Sequence, residues 1–371
     1  MAILKALRLE RARASKQFDG DTFRNSAPIT PGLKGNPLPV MGEFFFGGKA
    51  RLPPGPLPIV SPLPAWARPV SSSGLRVTWL GHSTTLLEID GVRILTDPVF
   101  GPRASPLSFA GPRRFHPVPA TIDQLPELDV VLLSHDHYDH LCRASIEALA
   151  RRHVPIVTSL GVGSHLERFG VDPAIIVELD WWEEHVLPGG ALSLRATPAQ
   201  HFSGRSPTSR YGTLWSSWVI TSAHRRLFFS GDSGLTDEFI AIGQKYGPFE
   251  VVMLEIGAWN EAWGDIHLGP RNALEAFRML QIGAGADAGS LLPVHWGTFD
   301  LALHPWAEPA ETLFIASQPS GVRVLTPLLG LPFEPAQVDE PRPWWRQVGA
   351  ASEPGATAAD RRRLVPEPSG K

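Results

Sequence analysis

From Leu75 to about Glu334 the chain alternates short apolar, β-branched runs with turns and a few amphipathic stretches. Arg76–Leu80, Thr84–Ile89 and Val92–Thr96 read as strands, the last two joined by Asp90-Gly91, a strong two-residue hairpin signal. Leu128–Ser134 is apolar almost throughout, the profile of a strand buried on both faces, and Cys142–Arg151 follows as an amphipathic helix. Val154–Thr158, Ile175–Leu179 and Ala191–Thr197 read as strands, with Asp180–Glu184 an acidic and aromatic turn. Trp218–Thr221 and Arg226–Ser230 form a hairpin, and Leu235–Tyr246 a helix closed by Gly247-Pro248. Val251–Leu254 is a strand, Gly269-Pro270 opens a helix through Leu280, and Ser290–Val294 and Val322–Thr326 are the last strands. Strands interleaved with helices predict an α/β domain.

Outside that region the pattern changes. Residues 1–70 are a separate regime: a weakly amphipathic N-terminal stretch, then Pro and Gly dominating Thr30 to Pro69. Such a segment is expected to form neither helix nor central strand, and to wrap the domain as extended chain anchored by Phe44, Phe45, Phe46 and Trp66. Residues 71–335 are then expected to make the main folded domain, the one that carries the candidate chemistry. Ala336–Lys371, rich in Pro, Ala and Arg, is expected to be disordered, with Trp344-Trp345 able to pack back. Val99–Thr121 is a long loop, and loops of that length inside a compact domain tend to be functional. Its Arg113 and Arg114 either bind an anionic group or form a solvated pair.

Composition narrows the classes. With 371 residues and a 43% hydrophobic share, there is material for one large core. Thirty-four basic against 37 acidic side chains, a formal charge of −3, argue against a nucleic-acid binder. The single cysteine, Cys142, excludes an intramolecular disulfide and suits a reducing compartment, so a cytoplasmic location is expected. The apolar runs are too short and interrupted to span a membrane. Peripheral membrane contact and a homodimer both stay open.

The candidate chemistry lies at the ends of strands. Ser134-His-Asp-His-Tyr-Asp-His-Leu141 places three imidazoles and two carboxylates between His135 and His140, where a buried strand meets a helix. Unpaired, these groups would be costly so near a core, and a metal ion satisfies several together. Three more strand-like runs end in candidate ligands: His201, Asp232 and His295. His135 and His137 can share one metal with His201; Asp139 and His140 can serve a second with His295; Asp232 can bridge the two. The thiol-free set suits catalytic zinc, with Mn or Fe also compatible. Asp97, directly after a strand, is a turn former or a partner for a metal-bound His. His82 in Gly81-His-Ser83 is a further candidate.

Ser134-His-Asp-His-Tyr-Asp-His140 resembles the signature of the metallo-β-lactamase superfamily, which implies a four-layer αβ/βα sandwich of two similar halves. Narrower motifs resemble the branch of N-acyl-phosphatidylethanolamine-hydrolysing phospholipase D: Thr78-Trp-Leu-Gly-His-Ser-Thr84, Leu95-Thr-Asp-Pro-Val99, Arg103-Ala-Ser-Pro106, Gly111-Pro-Arg-Arg-Phe115, Leu214-Trp-Ser-Ser-Trp218, Phe228-Phe-Ser-Gly-Asp232 and Val294-His-Trp-Gly-Thr-Phe299. The match runs from about Leu75 to Phe299; the Pro-rich N-terminal segment lies outside it. The resemblance implies His135, His137 and His201 on one zinc, Asp139, His140 and His295 on another, and Asp232 between them. It also places His267 near the reacting phosphate.

The expectation is therefore a dinuclear zinc hydrolase, two Zn2+ per chain, cleaving a phosphodiester of N-acyl-phosphatidylethanolamine or a related lipid. His267 and Asp136 are its catalytic candidates, Asp136 by orienting a neighbouring His or aiding proton transfer. Trp263 and Arg113 are substrate candidates, Trp263 as one of several tryptophans near the ligands that either line an acyl site or fill the core. Two alternatives stand beside this: a lactonase acting on a sugar-phosphate or other lactone, and a metal-binding scaffold without activity.

Overall fold

The computed structural model describes residues 2–29, 48–206, 208–260, 263, 265–285, 288–338 and 340–349. The expected anchors Phe44, Phe45 and Phe46 lie outside the described residues, as does the tail from Ala350. The chain begins with helix α1 (Ala2–Ala14) and a small hairpin, β1 (Phe18–Asp19) with β2 (Thr22–Phe23). Arg8 ties α1 to Glu167 and Glu178, at 2.6 and 2.5 Å. Within the Pro-rich segment the expectation of no helix fails for one turn, α2 (Leu63–Trp66). Proline in a first turn removes only an N–H that a helix start leaves unpaired anyway. Trp66 does anchor the segment: it is buried, and its indole N–H donates to Thr78 Oγ1 at 3.1 Å.

Two seven-stranded sheets follow, built on the same plan. The first comprises β3 (Leu75–Gly81), β4 (Thr84–Ile89), β5 (Val92–Thr96), β6 (Val130–Leu132), β7 (Ile156–Ser159), β8 (Ile176–Leu179) and, at its other edge, β16 (Pro332–Phe333). The second comprises β9 (Glu184–Val186), β10 (Leu192–Thr197), β11 (Ser217–Ser222), β12 (Arg226–Phe229), β13 (Val251–Glu255), β14 (Ser290–Val294) and β15 (Arg323–Val324). In each, an antiparallel meander (β3–β4–β5 or β10–β11–β12) passes into three parallel pairings (β5 to β8 or β12 to β15). The stretch Asp180–Glu184, read as a turn, runs into edge strand β9. The Pro-containing β16 was not foreseen; proline is tolerated there because the strand is at an edge.

Alternation along the strands builds the layers. Leu87, Ile94, Val130 and Leu132 share one core with Leu194, Trp218 and Phe228 of the other sheet. Their neighbours Leu86, Leu95, Val131 and Leu133 turn the other way, onto Ile146 and Leu149 of α3 (Arg143–Ala150) and Leu166 of α4 (Gly163–Arg168). Helices α5 (Glu238–Tyr246), α6 (Gly269–Leu280) and α7 (Glu308–Ser317) cover the second sheet through Phe239, Ile242, Phe277, Leu280 and Leu313. Each such side chain, fully buried, contributes about 1.5–3 kcal/mol. The result is the expected four-layer αβ/βα sandwich.

Ordered chain continues beyond residue 335. Trp344 and Trp345 are 3% and 4% exposed, and Trp344 stacks on Trp296 at 5.5 Å. The expected disorder from Ala336 therefore does not extend over residues 340–349, because two large aromatic side chains repay the ordering of that segment. No helix among the described residues is long and apolar enough to cross a membrane.

Candidate metal centre

Parallel strands end on the same side of a sheet, and here their carboxyl ends carry the polar groups. Asp97 follows β5, Ser134 and His135 follow β6, Asp232 follows β12, Glu255 closes β13 and His295 follows β14. His201 lies beyond β10 in a segment held by the isolated bridge of Gln200 to Gly234. The backbone is bent to deliver these groups: His82, Asp97 and His295 sit at φ 54°, 30° and 62°, and Gly231, just before Asp232, at 55°. Left-handed backbone at non-glycine residues is costly and persists where surrounding structure over-determines it.

The donors converge on one oxygen. Asp232 Oδ2 lies 3.1 Å from His140 Nε2 and 3.2 Å from His295 Nε2. It is 3.8 Å from His201 Nε2 and 3.9 Å from His135 Nε2. On one side His137 Nδ1 approaches His135 Nε2 at 2.9 Å and His201 Nε2 at 3.3 Å. On the other, Asp139 Oδ2 is 3.2 Å from His295 Nε2, 3.6 Å from His140 Nε2 and 3.0 Å from His82 Nε2. Donor atoms of His135, His137, His201 and Asp232 lie within 4.8 Å of one another, as do those of His82, Asp139, His140 and His295. His82 thus joins the second group. Asp139 and His140 sit in a turn before α3 rather than in the helix itself, so both side chains reach back to the strand ends.

The far side of two of the rings is fixed by a carboxylate or a carbonyl. His140 Nδ1 donates to Asp97 Oδ2 at 2.6 Å, and Asp97 also accepts from the Ser134 hydroxyl and amide at 2.6 and 2.8 Å. His201 Nδ1 donates to the Ile266 carbonyl at 2.8 Å. Both bonds leave Nε2 facing the centre, the arrangement by which outer partners set the tautomer of a ligating histidine. Arg205 staples the loop from outside, donating to the carbonyls of Asp136 and Leu141 at 2.6 and 2.9 Å.

Electrostatics at the centre are strongly coupled. Burial, reinforced by the neighbouring imidazoles, pushes His135 and His201 well below their ordinary pKa. Burial opposes protonation of His295 too, but the Asp232 charge and hydrogen bonds to Asp139 and Asp232 raise it to about 10. Asp139 and Asp232 are held well below the usual carboxylate range, against burial, by His140 and its neighbours. His140 Nε2 and Asp232 Oδ1 are buried without a well-formed hydrogen bond. Nitrogen and oxygen donors so crowded, with buried polar atoms left over, fit divalent cations. The fit sits on both sides of Asp232.

The other candidates separate. His267 comes within 4.0 Å of Asp232 Oδ2, and its Nδ1 bonds Glu255 Oε2 at 2.8 Å. Glu255, fully buried, also accepts from the amides of Ser233 and Leu268 at 2.9 and 3.2 Å. Sequence reading ended that strand at Leu254 and missed it. Asp136, expected to orient a neighbouring His or aid proton transfer, accepts from the Gly204 amide at 2.7 Å and faces His165 Nε2 at 3.3 Å; the histidine it faces lies outside the donor set, and its carboxylate fastens loop 203–206. Arg113 is exposed and pairs its backbone with Arg103, while Arg114 turns inward to the Val99 and Gly101 carbonyls. Trp263 is half-buried, its amide donating to the Asn260 carbonyl at 2.9 Å. Trp181, Trp215, Trp218 and Trp296 are buried in cores, which is packing rather than an open acyl wall.

Comparison with known proteins agrees with this geometry. A β-lactamase superfamily domain model matches residues 92–296. An uncharacterized protein of Mycobacterium tuberculosis is 45% identical over 83% of this chain and 80% of its own length. N-acyl-phosphatidylethanolamine-hydrolyzing phospholipase D 1 of Caenorhabditis elegans is 36% identical over 66% of this chain and 70% of its own. The isothiocyanate hydrolase from Delia radicum gut bacteria shares the fold, with a TM-score of 0.56 at 22% identity over 70% of this chain and 98% of that one. The chain belongs to the metallo-β-lactamase superfamily of metal-dependent hydrolases, in the branch of the N-acyl-phosphatidylethanolamine-hydrolyzing phospholipases D.

Proposed function

We propose that this chain is a dinuclear phosphodiesterase, phospholipase D-like, acting on N-acyl-phosphatidylethanolamine or a related phospholipid. The observation that carries the reading is Asp232 Oδ2, one oxygen reached by His135 and His201 from one donor group and by His140 and His295 from the other. His135, His137 and His201 would hold one Zn2+, and Asp139, His140 and His295 the second, with Asp232 shared. Two such ions, when bound, supply a water of lowered pKa and Lewis acidity toward a phosphoryl oxygen.

The remaining roles fall to the chain. With Nδ1 committed to Glu255, His267 leaves Nε2 for the substrate, where it delivers a proton to the departing alkoxide as water oxygen joins phosphorus and the P–O bond to the head group breaks. Asp97 keeps His140 in the ligating tautomer. The relative in Caenorhabditis elegans, named for the same hydrolysis, supports the substrate class. Placement at a membrane surface within the cytoplasm is consistent with a lipid substrate.

The test is a side-by-side assay of purified protein on N-acyl-phosphatidylethanolamine, a soluble phosphodiester and a lactone, in 18O-labelled water. Release of the N-acylethanolamine with label in the phosphatidate is expected. Lactone opening without phosphodiester cleavage would replace the reading, and metal uptake without turnover of any ester would favour a scaffold.

A further inference from the structure

The N-terminal strap ends on the metal centre. After α1 and the β1–β2 hairpin, Asn25 lays its side-chain amide along the backbone of His201. Asn25 Oδ1 accepts the His201 amide N–H at 2.9 Å, and Asn25 Nδ2 donates to the His201 carbonyl at 2.8 Å. The same Oδ1 accepts from the Trp215 indole at 3.2 Å, so swapping the amide's O and N would set donors against donors. One side chain thereby closes both polar groups of a residue that is 1% exposed and lies outside any strand.

Among the described residues no other group bonds the backbone of His201. Gln200 is fixed by Ser233 and Gly234, and the His201 ring by Ile266. The backbone of His201 itself depends on residue 25, at a separation of 176 positions. The strap is anchored for the task. Phe23 is 2% exposed among Leu160, Trp181, Ala199, Leu214 and Trp215, and its amide donates to the Tyr211 carbonyl at 2.9 Å. Arg11 adds bonds to the Glu178 carbonyl and to Glu183.

We infer that Asn25 is a positioning residue of the metal centre, and that the N-terminal strap is a working part of the His135–His137–His201 site. The inference rests on the reading of His201 as a metal donor. A ligating ring is only as well placed as its backbone, and loss of an outer partner typically lowers metal affinity about 10- to 100-fold. The effect should fall on one site of two, since nothing in the strap touches Asp139, His140 or His295 among the described residues.

The experiment is competitive zinc titration against a chromophoric chelator, using the full chain, its Asn25→Ala variant and the isosteric Asn25→Asp variant. Thermal melting of the metal-free proteins is measured alongside. Asp keeps the acceptor for the His201 N–H but sets an oxygen against the His201 carbonyl. Expected is a loss of about 10- to 100-fold for one zinc equivalent in both variants, with the second equivalent unchanged, alongside a fall in the metal-free melting temperature from the unpaired His201 backbone groups. Unchanged affinity in either variant overturns the inference, as does equal weakening of both equivalents. Wild-type protein that takes up no zinc would instead remove the metal reading on which this rests.

Discussion

Replacing Asp97 with Asn changes one atom and should cost one metal. Asp97 is fully buried and takes three hydrogen bonds, from the Ser134 amide, the Ser134 hydroxyl and His140 Nδ1. In Asp97→Asn, Oδ1 keeps the Ser134 amide, but Nδ2 now points a donor at His140 Nδ1–H. The imidazole must then move its proton to Nε2, the nitrogen 3.1 Å from Asp232 Oδ2, where a metal has to bind. Loss of such an orienting partner lowers affinity about 10- to 100-fold, or about 1.4–2.7 kcal/mol. The metal-free fold should lose stability as well, because without metal His140 holds its proton well above its ordinary pKa, against burial and partly through the Asp97 charge, and Asp97→Asn takes that partner from a buried imidazolium. Zinc titration of wild type and Asp97→Asn, with metal-free melting curves, measures both terms. Equal zinc affinity in the two proteins would refute the reasoning.

Other expectations follow from the same geometry. A Cβ on Gly231 would lie 2.6 Å from Ser134 Cβ at a φ of +55°, so Gly231→Ala should destabilise by about 1–3 kcal/mol and disturb Asp232; urea denaturation with zinc stoichiometry checks this, and a wild-type result in both would count against it. Trp344→Ala removes a ring stacked on Trp296 and should cost about 3–5 kcal/mol in chemical denaturation; an unchanged midpoint would exclude residues 340–349 from the core. Without metal, His295 holds its proton up to about 10 and His140 well above its ordinary value, so metal must displace protons that are present at neutral pH. Zinc affinity should therefore rise as pH rises, and calorimetry in two buffers of different ionisation enthalpy should show proton release; none would contradict the charge balance described here.

The parts of the centre that were legible share one grammar, a buried apolar run ending in a polar residue. That rule marks His135, His201, Asp232 and His295, because a strand buried on both faces has no other reason to finish on an ionisable group. Glu255 obeys the same rule and was overlooked, since a single Glu between Leu254 and Ile256 looks like the end of an ordinary strand. His82 was visible only as a candidate, its place beside Asp139 depending on the left-handed turn after β3. Asn25 had no local signal: its partner is far along the chain and the contact is to backbone, which leaves no pattern in residue types. Asp136 sits among the ligands in sequence, but which histidine it faces depends on the fold, since its partners Gly204 and His165 come from other segments. Edge strands β9 and β16 are short, polar or Pro-containing, and pair only because a neighbouring strand is already in place.

The most direct test of the account is to strip the purified protein of metal and restore zinc in increments while following N-acyl-phosphatidylethanolamine hydrolysis. The account predicts no activity without metal and full activity only as the second equivalent per chain is taken up. Hydrolysis by metal-free protein, or a plateau at one equivalent, would contradict it.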